Sequence, residues 1–239
     1  MATVILVRHG RTTANASGLL PGRSPGVHLD DTGRSQAVAL SERISPLPLA
    51  ALVTSPLERC RETADAVLER QRADLPVIVD DAITECDYGQ WQGRPLSELL
   101  AEDLWKTVQR QPSAVAFPGG ESMPAMQARA VAAIRSRDAA ITAEHGPEAV
   151  WVAVSHGDII KSVLADAYGL HLDLFQRIHV DPASATIIRY GRSQPRILGT
   201  NTHAGDLAWL ARTPQSADAP VGGGSGPAEA AGSWQSAGK

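Results

Sequence analysis

The chain has 239 residues, of which 43% are apolar and 20% charged, and its formal net charge is −4. That balance is ordinary for a chain that buries a core, and it excludes collagen-like, wholly disordered and strongly basic nucleic-acid-binding readings. Cys60 and Cys86 are too few for a disulfide framework and lack the paired spacing of a zinc site, so a reducing compartment is expected. The first apolar run, residues 4–7, is too short for a secretory core, and no stretch offers the ~18 apolar residues of a membrane helix. A cytoplasmic location with no membrane and no nucleic-acid partner is the expectation.

In chain order, residues 3–7, 51–54 and 149–154 are short apolar runs, each followed by a helical pattern, which predicts a parallel sheet. Ser55-Pro56-Leu57-Glu58 reads as a helix start, with a capping serine, a proline at the first helical position and an acid three after the cap; Ser155-His156-Gly157-Asp158 repeats the scheme. Residues 76–79 add a short strand. Met126, Ala130, Ile134 and Ile141 share one helical face, so residues 122–144 are predicted to form a helix of about five to six turns, capped by Ser122 and closed by Gly146 and Pro147. Residues 185–190 and 196–198 read as two edge strands joined by a turn at 191–195. Residues 213–239 are Gly-, Ala-, Pro- and Ser-rich and are expected to be a flexible tail after one domain of residues 1–212.

In an open α/β sheet, ligands collect where the strands end and the helix amino termini converge. There this sequence places Arg8-His9-Gly10 after the first strand, residues 55–59 after the second, Glu85 after the third and Ser155-His156-Gly157 after the fourth. Two histidines, two arginines, one carboxylate and two helix amino termini around one crevice suit a phosphate. A neutral imidazole can attack phosphorus, and neighbouring cations keep it neutral, which makes His9 the candidate nucleophile. Arg8 and Arg59 can fork onto the equatorial oxygens. The leaving alkoxide needs a proton, and Glu85 beside a dianionic phosphate can hold one at neutral pH; Glu58, Glu62 and Glu121 are its rivals. Such chemistry needs no metal and no cofactor. His28, His145, His171, His179 and His203 are expected in structural or surface roles.

Arg8-His9-Gly10 with Asn15, the stretch from Ser55 to Thr63, Glu85-Cys86-Asp87-Tyr88-Gly89 with Trp91 and Gly93, Pro118-Gly119-Gly120-Glu121-Ser122 and Ser155-His156-Gly157 follow one another in order. Together they resemble the histidine phosphatase superfamily, which includes the cofactor-dependent phosphoglycerate mutases. The resemblance implies a phosphoglycerate mutase-like α/β fold, a three-layer α/β/α sandwich with a mostly parallel central sheet. It implies that His9 is phosphorylated, that Arg8, Arg59 and His156 form the phosphate pocket with Gly157 at its helix start, that Glu85 is acid and base, and that Asn15 and Gly22 line the substrate mouth. Arg11 stands where many members carry a glutamate and adds positive charge near the pocket. Residues 93–117 hold only the separated Arg94, Lys106 and Arg110, not the adjacent arginine pair of the mutases, so water is the expected acceptor. The expected activity is a metal-independent, acid-phosphatase-like hydrolysis of a small-molecule phosphomonoester. A phosphomutase and a non-catalytic phospholigand-binding module are the alternatives. Specificity is expected to reside in residues 19–28 and 95–117; a homodimer is left open.

Overall fold

The structure, a computed structural model, describes residues 2–71, 74–191 and 194–203. The expected tail at 213–239 lies outside the described residues, as do positions 192–193 of the edge turn. The elements are β1 (Thr3–Arg8), α1 (Thr13–Ala16), α2 (Asp31–Ile44), β2 (Leu49–Thr54), α3 (Glu58–Leu68), β3 (Val77–Val79), α4 (Leu96–Leu99), α5 (Asp103–Arg110), α6 (Met123–His145), β4 (Val150–Ser155), α7 (Gly157–Ala167), β5 (Ala185–Arg189) and β6 (Arg196–Thr202). The strands make one sheet of order β3-β2-β4-β1-β5-β6. The first four of these strands run parallel, and β5 and β6 add an antiparallel edge.

Strand side chains alternate between the two faces, and here each face is covered by helices. Val4, Leu6, Ala51, Val53, Trp151 and Ala153 pack with Met126, Ala130 and Ile134 of α6 and Ile160, Val163 and Leu164 of α7. The intervening Ile5, Val7, Leu52, Val152 and Val154 pack with Leu40 and Ile44 of α2 and Cys60, Ala64 and Val67 of α3. Burial on both sides is why these strands read as unbroken apolar runs, and the result is the expected three-layer sandwich. Helix α6 spans 23 residues and buries Met123, Met126, Ala130, Ile134, Asp138 and Ile141 along one stripe. Its start is capped as expected, with Ser122 Oγ accepting from the Ala125 N–H at 3.2 Å.

The serines at the two strand ends do something other than cap. Helix α3 starts at Glu58 with Leu57 in the capping position and no side-chain cap. Ser55 is still paired to the sheet, its N–H donating to the Val154 carbonyl at 3.0 Å. Ser155 is the last residue of β4, and its hydroxyl donates to the Ile83 carbonyl at 2.7 Å. In both cases the serine's backbone stays with the end of the strand, and the helix begins beyond it, at Glu58 or at Gly157.

Asp138 is a carboxylate inside the α6 stripe, and it accepts from the Trp151 indole N–H at 3.0 Å. Removing the donor leaves a buried acceptor without its bond, which costs roughly 1–3 kcal/mol. Trp151→Phe should lower unfolding stability in urea by about that much; an unchanged midpoint and slope would show that the bond contributes nothing.

Candidate active site

His9 directly follows β1, and its N–H donates to the Ser155 carbonyl at 3.0 Å, so the register of β1 with β4 places it beside His156. The two rings stand edge to face with centroids 5.3 Å apart. His9 Nδ1 lies 2.7 Å from the Gly10 carbonyl, an acceptor only, so Nδ1 carries the proton. Nε2 is then a lone pair, and Arg59 Nε donates to it at 3.3 Å. Burial first, then the Arg59 and Arg8 guanidiniums, push His9 well below the ordinary histidine value. The ring is neutral, with its free nitrogen facing a cation.

Arg59 sits in the first turn of α3, fully buried. Its Nη2 donates to the Gly22 carbonyl at 2.7 Å, while its buried Nη1 has no hydrogen-bond partner among the described residues. Gly22 holds φ at +52°, a conformation glycine adopts without strain, and so turns its carbonyl inward. Arg8, the last residue of β1, donates from Nη1 to the Val180 carbonyl at 2.8 Å. Burial lowers its pKa, and Glu85, Asp181 and Asp158 oppose that.

His156 Nε2 lies 2.8 Å from Ser55 Oγ, which is where the expected capping hydroxyl is used. Its Nδ1 is 4.0 Å from Glu85 Oε2. Burial, then Arg59, His9 and Arg8, depress its pKa well below the usual value. Cys60 Sγ stands 3.4 Å from His156 Nε2, and burial pushes that thiol up to about 12, which leaves it protonated and poorly nucleophilic.

Glu85 is 3% exposed, and burial, then the Asp158 charge, raise it to about 7. Asp158 itself accepts from the Tyr88 hydroxyl at 2.7 Å and lies 3.7 Å from Lys161 Nζ. The rival acids are engaged elsewhere. Glu58 accepts from the Gly26 N–H at 3.0 Å, which lowers its pKa. Glu62 pairs with His28 and accepts from the Leu29 N–H at 2.9 Å. For Glu121, burial works upward, but hydrogen bonds from Arg129 and the Asp87 N–H prevail and hold it below the usual value.

The structure thus brings His9, Arg8, Arg59, His156 and Glu85 together, with Gly22 on Arg59 and Gly157 opening α7 behind His156. Asn15 closes a local capping box on α1, its Oδ1 accepting from the Thr12 N–H at 3.1 Å and Thr12 Oγ1 at 2.8 Å. Arg11, expected near the phosphate, instead donates to Asp30 Oδ2 at 2.8 Å and Thr32 Oγ1 at 2.7 Å, because the start of α2 offers it a carboxylate closer to hand.

Sequence reading missed Gly33. A Cβ there would lie 1.9 Å from the Arg11 carbonyl, and one on Gly10 would lie 2.4 Å from the Gly33 carbonyl, so the His9 loop packs backbone to backbone on α2. It also missed Arg129, whose position on α6 gives no hint that it reaches Glu85. No group of three or more His, Cys, Asp or Glu side chains suited to holding a metal occurs among the described residues.

A family model of the histidine phosphatase superfamily (branch 1) matches residues 4–203, and the chain belongs to that superfamily. It is 30% identical over 212 residues to phosphoserine phosphatase 1 of Hydrogenobacter thermophilus, covering 87% of this chain and 96% of that protein. Bacillus stearothermophilus YhfR superposes with a TM-score of 0.77 at 26% identity, covering 85% of this chain and 98% of that one. Mycobacterial glucosyl-3-phosphoglycerate phosphatase in complex with VO3 gives a TM-score of 0.74 at 26% identity, covering 84% of this chain and 99% of that one.

Raised and lowered pKa values act on stability with opposite signs. Glu85 moves from an ordinary 4.5 to about 7, so folding favours its protonated form: that stabilisation is complete below 4.5 and is lost as pH rises to about 7. His9 and His156 are depressed, so their neutral forms favour folding above the ordinary 6.5, and this is lost as pH falls below it. Glu85→Gln should therefore gain stability relative to wild type as pH rises from 4.5 to about 7, with a constant difference above. Denaturant unfolding of both proteins across that range measures it, and a difference that does not vary with pH would contradict the perturbed carboxyl.

Proposed function

We propose that this phosphatase hydrolyses small-molecule phosphomonoesters through a phosphohistidine on His9. Nε2 of His9 attacks phosphorus, and the phosphorus–oxygen ester bond breaks as the leaving oxygen takes the Glu85 proton. Arg8, Arg59 and His156 surround the equatorial oxygens, and the unpaired Arg59 Nη1 gives one of these oxygens a buried, charged donor. The Glu85 carboxylate then takes a proton from water, which attacks the phosphohistidine, releases inorganic phosphate and restores both groups. Asn15 and Gly22 line the substrate mouth, and Gly157 contributes the amino terminus of α7. Arg11, held by Asp30 and Thr32, is not proposed as a phosphate ligand.

The observation that carries this reading is the placement of the His9 ring, with Nδ1 donating its proton to the Gly10 carbonyl and the Nε2 lone pair on the side of Arg59. A carboxyl that titrates at about 7 supports Glu85 in both acid and base steps. The relative's complex with VO3, a phosphate-like oxyanion, supports an oxyanion pocket in this fold. Water as the acceptor is supported by the segment before the Pro118 stretch. There Arg94 pairs with Glu102 at 2.8 Å and Lys106 with Asp103 at 3.2 Å, so two of its cations are taken up locally rather than offered to a second phosphate.

The test is release of inorganic phosphate from a panel including phosphoserine, 3-phosphoglycerate, sugar phosphates and p-nitrophenyl phosphate, with EDTA in excess. Wild type should retain its activity, and His9→Ala should lose it by ~10³-fold or more. Full activity in the variant, or isomerisation of 3-phosphoglycerate outpacing phosphate release, would contradict the proposal.

A further inference from the structure

Glu85 follows a single 3₁₀ turn, Asp81–Ile83, and belongs to no regular element. Its Oε1 accepts from the Cys86 N–H at 2.9 Å, so the placement of its carboxyl depends on the placement of its own backbone. That backbone is held from outside. Arg129 Nη1 donates to the carbonyls of Ala82 at 2.9 Å and Thr84 at 2.8 Å. Its Nη2 donates to the Glu85 carbonyl at 3.1 Å and to Glu121 Oε1 at 2.6 Å, and its Nε to Glu121 Oε2 at 3.0 Å. A guanidinium has five N–H donors in a fixed plane, and here all five are used, three on the segment that carries the acid and two on one carboxylate. A lysine has three donors on a single point and cannot reproduce the set.

Glu121 is the hub on the other side. Its Oε1 also accepts from the Asp87 N–H at 2.9 Å and from Arg23 Nη2 at 3.0 Å. Arg23 in turn donates from Nε to the Glu85 carbonyl at 2.8 Å, so that one carbonyl receives two guanidiniums. The Arg23 side chain is 35% exposed, against 22% for Arg129 and 17% for Glu121, so it carries the arrangement outward to the surface. Its neighbour Gly22 is the residue that holds Arg59. Two consecutive residues of the mouth loop therefore touch both the phosphate arginine and the peptide of the acid.

We propose that Arg129 and Arg23, joined through Glu121, are positioning residues for Glu85: they fix its peptide so that its carboxyl meets the leaving oxygen, and Arg23 makes that placement depend on the mouth loop. The inference rests on the reading of Glu85 as the general acid. Misplacing a proton donor by about 1 Å costs on the order of 10²-fold in rate. That loss falls where the leaving group needs the proton and spares a leaving group that departs as a stable anion.

The experiment compares kcat/KM, which reports the steps up to phosphohistidine formation, for phosphoserine and p-nitrophenyl phosphate. Wild type, Glu85→Gln, Arg129→Lys and Arg23→Gln are measured side by side, with vanadate affinity read on each as a check that the pocket survives. Arg129→Lys should lose about 10²-fold on phosphoserine and less than about 10-fold on p-nitrophenyl phosphate, the same pattern as Glu85→Gln. Arg23→Gln, a surface change that leaves the core intact, should show the pattern at about 10-fold and decides the matter if Arg129→Lys fails to fold. Equal losses on both substrates, or no loss, in Arg129→Lys and Arg23→Gln while Glu85→Gln stays selective would overturn the clamp and leave the acid standing. No selectivity in Glu85→Gln, or no phosphate release by wild type, would overturn the reading of the site and the clamp with it.

Discussion

The site depends on the direction in which one peptide carbonyl points. Gly10 accepts the Nδ1–H of His9 at 2.7 Å, and that bond puts the lone pair on Nε2. The carbonyl cannot easily turn, because the groups on either side of it are held. The Gly10 N–H donates to Thr63 Oγ1 at 3.0 Å on α3, and the Arg11 N–H donates to Gln36 Oε1 at 3.0 Å on α2. The bare Gly10–Gly33 contact seats the same loop on the first turn of α2. The helical layer on one face of the sheet thus sets the tautomer of a ring at the sheet's end, which is a chemical consequence of packing.

The second constraint is charge. Arg8 and Arg59 are both nearly inaccessible to water, and two buried cations this close to a pair of imidazoles would be untenable if the rings were also charged. The rings stay neutral, and Glu85, Asp158 and Asp181 offset Arg8. Within the same cluster, burial and then Asp158 raise Glu85 while Arg59 and Arg8 lower it, and the balance is a carboxyl pushed up to about 7. A dianionic phosphate fits this frame because it supplies the negative charge that the arginines lack.

How much of this was legible depended on whether a feature was local. The strands at Val4, Val53 and Val152 and the α6 stripe from Met126 to Ile141 declare themselves, because burial on both faces or on one helical face writes a period into the sequence. The gathering of His9, Arg59, Glu85 and His156 was legible too, since parallel strands deliver the residues that follow them to one edge. The capping role expected of Ser55 failed because a short-range motif cannot reveal that His156, a hundred residues on, takes the hydroxyl. Arg11 was misleading for the opposite reason: its partners Asp30 and Thr32 are near in the chain, and local bonds engage its guanidinium. Gly33 and Arg129 gave no signal, because each matters only through a tertiary contact.

In the proposed reaction Nε2 of His9 is the atom that forms the bond to phosphorus. This is tested most directly by trapping the phosphoenzyme from a fast substrate at low temperature and reading the phosphorus–nitrogen linkage by NMR. A single phosphohistidine is expected, on Nε2 of His9 and absent from His9→Ala. Phosphate on Nδ1, on His156 or on a carboxyl group would contradict it.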